Sequence, residues 1–120
     1  MSKNLILSAA VGYNFAQIEF FIKSLRKFYQ DNVCIIIDNK DNKLESQLKE
    51  YDCSVIKTKI NKKDIQFKRY EIFSKYLEGK VFDKILLCDS RDIYFQDNPF
   101  KFSYSSPINF FLEDYLIKDC

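Results

Sequence analysis

Apolar residues along this chain fall into two kinds of run. In "NLILSAAV" (4–11) they are short and almost continuous, as in a strand buried on both faces. In "NFAQIEFFIKSLRKFY" (14–29), Phe15, Ile18, Ile22, Leu25 and Tyr29 recur at steps of three and four, one face of a helix. The switch then repeats. "VCIII" (33–37) predicts a second strand, and "NKLESQLKEY" (42–51), with Leu44, Leu48 and Tyr51 on one face, a second helix. "CSVIKTKI" (53–60) predicts a third strand, "DIQFKRYEIFSKYLEG" (64–79) a third helix and "KILLC" (84–88) a fourth strand. After a long loop, "INFFL" (108–112) predicts a fifth. Asn14 and Asp64 stand where helix N-caps belong, and Gly79 where a helix ends.

Strands alternating with helices imply right-handed crossovers and a mostly parallel sheet with flanking helices, an α/β fold. Leu7, Ile35, Ile36, Leu86 and Leu87 are its expected core. Ligands of such sheets bind outside the carboxyl ends of the strands. The residues at those ends are Gly12 with Tyr13, Asp38, Asp89 with Asp92, and Glu113 with Asp114. Asp38 and Asp89 should therefore share one sheet edge.

Composition narrows the partners. The 120 residues suit one domain, 1–120, with no repeat or linker, and 47% hydrophobic residues are enough for a core. Nineteen basic and 17 acidic residues nearly balance, which gives no reason to expect nucleic acid as the partner. The basic stretch "KTKINKKD" (57–64) reads as a solvated loop. Cys34, Cys53, Cys88 and Cys120 form no paired motif and there is no histidine, which argues against zinc. No stretch has the length of a membrane span, and the N-terminal apolar run is too short for a signal peptide. A soluble, cytoplasmic, reduced protein is expected.

The charged cluster at 89–92 is harder to account for by folding alone. Two carboxylates at a strand end suit a hard divalent cation, which can bridge to a diphosphate. Arg91 offers a planar fork to phosphate oxygens. The alternative is a turn closing the strand, with Arg91 and Asp92 in a surface ion pair. The wider stretch "KILLCDSRDIYFQDNPF" (84–100) resembles the D-x-R-D-x-x-F-Q-x-x-P-F signature of glycosyltransferases with the GT-A fold. "KRYEIFSKYLEGKVFDKILLCDSRD" (68–92) is similar to the helix, loop and strand before that signature, and "INFFLED" (108–114) to the strand after it.

The resemblance implies a donor site for a nucleotide-diphosphate sugar with Mn²⁺ or Mg²⁺ on Asp89 and Asp92, and a glycan or other acceptor. The usual element has one residue between its acids, and here there are two. The resemblance also gives Asp38 a place against base or ribose, Tyr13 against the base, and Arg69 and Arg91 against phosphates. Each has a plainer alternative: a turn acid for Asp38, a core or hinge aromatic for Tyr13, a solvated helix residue for Arg69. Glu113 and Asp114 either approach the sugar or end a strand. A receiver domain has this element order too, but it needs an acidic pair after the first strand, where "SAAVGYN" stands. The remaining alternative is a non-catalytic nucleotide-binding remnant or interaction module. Against the family, the chain corresponds to the donor-binding N-terminal half. By itself it is expected to bind nucleotide and to transfer sugar poorly, with self-association or a partner chain covering the edge at "INFFL".

Overall fold

The computed structural model describes residues 3–91 and 95–100. Their order is β1 (Asn4–Ala9), α1 (Phe15–Phe28), β2 (Asn32–Asp38), α2 (Asn42–Lys49), β3 (Ser54–Thr58), α3 (Ile65–Leu77) and β4 (Lys84–Leu87). Strand "INFFL", Asp92, Glu113, Asp114 and Cys120 lie outside the described residues. The four strands form one sheet in the order β3-β2-β1-β4, every pairing parallel. Leu7 is level with Cys34 on one side and Leu87 on the other. The α/β architecture read from the sequence is the one observed.

Alternation along the strands divides the core into two layers. Ile6, Val33, Ile35 and Ile37 pack with Phe21, Ile22 and Leu25 of α1 and with Leu44 and Leu48 of α2. Leu5, Leu7, Cys34 and Ile36 face the other way, against Ile65 and Phe73 of α3. Both faces of β1 and β2 are thus closed, which is why their sequences are continuously apolar.

The helix ends are set locally. The Asn14 side chain accepts from the Gln17 amide and the Gln17 side chain from the Asn14 amide, both at 3.0 Å, a reciprocal capping box. Asp41 caps α2 through the Leu44 amide. Asp64 occupies the cap position of α3, but its side chain makes no cap bond. Asn61 accepts instead, its backbone oxygen from the amides of Asp64 and Ile65 and its side chain from that of Asp64. Gly79, at φ +74°, ends α3 as expected.

β4 departs from the expected core. Leu86 packs toward the α1 layer, but Ile85 is 43% and Leu87 48% exposed. The reason is topological. β4 is outermost among the described strands, and α3 crosses over β1 rather than over β4. Beyond the strand, residues 95–100 lie along α1 from its middle to its C-terminal end. Phe95 packs on Phe21 in a tilted arrangement with ring centroids 5.8 Å apart, its amide donating to Ser24 Oγ, and Phe100 meets Tyr29 at 5.4 Å. Among the described residues, no helix is long and apolar enough to cross a membrane.

Candidate functional site

The connection from β1 leads toward β2, whereas β4 is reached from β3 by a crossover on the opposite face. Connections therefore diverge between β1 and β4, and the crevice outside their carboxyl ends is the switch point where parallel sheets bind ligands. Two segments border it: Ala10–Tyr13 after β1, and Cys88–Arg91 after β4.

Both segments are anchored by the strands they leave. The Cys88 amide donates to Leu7 O at 3.1 Å, continuing the β1–β4 ladder by one step. Ser8 Oγ donates to Cys88 O and Ser90 Oγ to Ala9 O, each at 2.7 Å, and both serines are buried. With Ser90 turned inward, Asp89 between these anchors is turned outward and its side chain is 53% exposed. Burial, reinforced by Asp89, pushes the neighbouring Cys88 thiol up to about 12, so that it remains a neutral packing group. On the other border, the Tyr13 amide returns to Ala10 O and Gly12 takes φ +82°.

Arg69, on α3, reaches this edge. Its Nη1 donates to Asp89 Oδ1 at 3.1 Å and its Nη2 to Tyr70 Oη at 3.1 Å, with the guanidinium 5.0 Å from the Tyr70 ring. Among the described residues, its Nε is enclosed without a hydrogen-bond partner. Burial works against the Arg69 charge, but the bonds to Tyr70 and Asp89 prevail and its pKa lies above the ordinary value. The guanidinium of Arg91 lies 5.6 Å from the centre of the Tyr13 ring.

Asp38 shares the carboxyl edge with Asp89, as expected, but the two are not brought together. β1 stands between their strands, and two interstrand spacings amount to about 10 Å. Asp38 Oδ1 accepts from the Lys40 amide at 2.8 Å and its backbone oxygen from that of Asp41, so it shapes the turn into α2.

Three site residues escaped the sequence reading. Ser8 and Ser90 were invisible because their partners are backbone carbonyls some eighty residues away. Lys62 lay in the stretch assigned to a solvated loop. Its Nζ is 4.6 Å from the centre of the Tyr13 ring, and its stem crosses the Gly12 backbone. Topology alone brings the loop after β3 to this edge, but nothing in "KTKINKKD" distinguishes Lys62 from its neighbours.

Among the described residues, no three Cys, Asp or Glu side chains gather around one point. Asp89 is the described carboxylate at the switch point, and Asp92 lies outside the described residues. A Mg²⁺ ion commonly takes one or two protein carboxylates and completes its shell with phosphate oxygens and water, and Asp89 is the one such carboxylate that the described residues place at the switch point. Comparison with family models, curated proteins and solved structures gives no match for this chain.

Proposed function

We propose that this chain binds a nucleoside-diphosphate sugar in the crevice between β1 and β4, as the donor-binding part of a metal-assisted glycosyltransferase of GT-A type. The observation that supports it is the presence of Asp89, Arg69, Arg91 and Tyr13 together at the switch point. Guanidinium groups match pairs of phosphate oxygens with a planar fork, which suits Arg69 and Arg91 to the diphosphate. An incoming diphosphate competes with Asp89 for Arg69 and so releases the carboxylate. A divalent cation held by Asp89 with Asp92 would supply charge neutralisation on the departing diphosphate. Asp38 is the candidate for base or ribose. Cys34, Cys53 and Cys88 are free thiols, which accords with a reducing, cytoplasmic setting.

Calorimetry with UDP and GDP, with and without Mn²⁺, tests the donor site. Metal should tighten nucleotide binding, and Asp89→Asn and Asp92→Asn should each remove about tenfold or more of that gain. Unchanged metal-assisted binding in both variants would reduce the cluster to a turn. Labelled UDP- and GDP-sugars, followed for hydrolysis and for transfer to a glycan panel, then separate a transferase from a module that binds nucleotide without turnover.

A further inference from the structure

Lys62 sits on the switch-point site in a way its solvent exposure does not require. Its aliphatic stem lies against Gly12 so closely that a methyl group there would meet Lys62 Cδ at 2.8 Å and Cβ at 3.0 Å. The left-handed backbone of Gly12 and the missing side chain together make room for that stem. The ammonium then rests over the Tyr13 ring at 4.6 Å, while the Arg91 guanidinium lies at 5.6 Å from the same ring. Among the described residues Lys62 has no carboxylate partner. Two cations drawn from different loops thus share one aromatic ring, with Arg69 on the same edge.

Lys62, Arg91 and Arg69 bring three positive charges to one sheet edge. The attraction of a ring quadrupole for an exposed cation is modest. A diphosphate at this edge is attracted by each of the three charges, a larger gain than the ring alone gives Lys62.

We infer that Lys62 is a diphosphate-binding residue of the switch-point site, and that Tyr13 gathers Lys62 and Arg91 around the anion rather than offering an open face to a base. The inference rests on the donor-site reading for the identity of the natural ligand, but not for the anion chemistry. Three chain segments converge: the turn after β1 supplies the ring, the loop before α3 an ammonium, and the end of β4 a guanidinium. The anion is a diphosphate, whether free or esterified to a nucleoside, and the two sources are separated by the ligands chosen.

The test is calorimetry on the whole chain with inorganic pyrophosphate, UDP and GDP, each with and without Mn²⁺. The variants are Lys62→Ala, Lys62→Arg, Tyr13→Leu, Tyr13→Phe and Asp89→Asn. Pyrophosphate should bind without metal. Lys62→Ala and Tyr13→Leu should weaken it by about five- to tenfold, while Lys62→Arg and Tyr13→Phe, which keep the cation and the ring, should not. Equal affinity for the wild type and Lys62→Ala overturns the inference. If UDP and GDP bind with metal in a way that depends on Asp89 but not on Lys62, the donor reading stands and the role given to Lys62 falls. If pyrophosphate binds and follows Lys62 while neither nucleotide binds, the anion site stands and the donor reading falls. Failure of all three ligands overturns both.

Discussion

Gly12 and Lys62 form a pair whose coupling can be measured without any ligand. A Cβ at Gly12 faces both a φ of +82° and the Lys62 stem, whereas Gly79, at φ +74°, has open space around it. Gly79→Ala should therefore cost only the backbone term, about 1 kcal/mol. Gly12→Ala should cost more, about 1–3 kcal/mol. Combining Gly12→Ala with Lys62→Ala should recover about 0.5 kcal/mol or more, read as urea midpoints. Strict additivity would mean that Lys62 does not lie across the glycine. The sequence marked Gly12 as a strand end but could not show what passes over it, because the contact joins loops fifty residues apart. Asp89 and Arg91 were legible because an apolar strand has no structural use for charges at its end. Their partners, Arg69 and Tyr13, were named as candidates, but nothing in the spacing linked them.

Elements were legible where their signals are local. The period of α1 and the cap at Asn14 were readable, and Asn14→Ala should lower stability by about 1 kcal/mol, because the side-chain bond to the Gln17 amide is lost. Arg26 was not readable. It donates to the backbone oxygens of Tyr29 and Asp31 after α1 and of Tyr51 and Asp52 after α2, at 2.8–3.1 Å. Arg26→Lys keeps the charge but cannot fork to four carbonyls, so it should cost about 2 kcal/mol in a denaturant titration. A loss close to zero would show that water replaces the fork at no cost. The buried Cys34 and half-buried Cys88 thiols add a pH dependence. Burial raises Cys34 to about 11 and Cys88 to about 12, so both stay protonated in the fold where the unfolded chain ionises, from about pH 9. Stability from these groups is fully present below about pH 9 and is lost as pH rises toward 11–12. Unfolding midpoints under reducing conditions should therefore fall across this range, less steeply in Cys88→Ser. An identical slope in that variant would contradict the assignment.

For the molecule as a whole, the alternation of short apolar runs with helical periods was enough to predict a parallel α/β sheet. Strand order was not readable, since the pairing of β1 with both β2 and β4 depends on where crossovers pass. This is why Leu87 was assigned to the core: its run resembles that of β2, but its strand is outermost among those described. Order also decides the site, because it makes the ends of β1 and β4 neighbours and leaves Asp38 one strand away. The central claim is that a nucleoside diphosphate binds in that crevice. It is tested most directly by amide chemical-shift mapping of the ¹⁵N-labelled chain titrated with UDP or GDP and Mg²⁺. The account predicts that the largest changes fall on Gly12, Tyr13, Lys62 and Asp89–Arg91, with little change along β3. Changes centred on any other edge of the sheet, or none at saturating nucleotide, would contradict it.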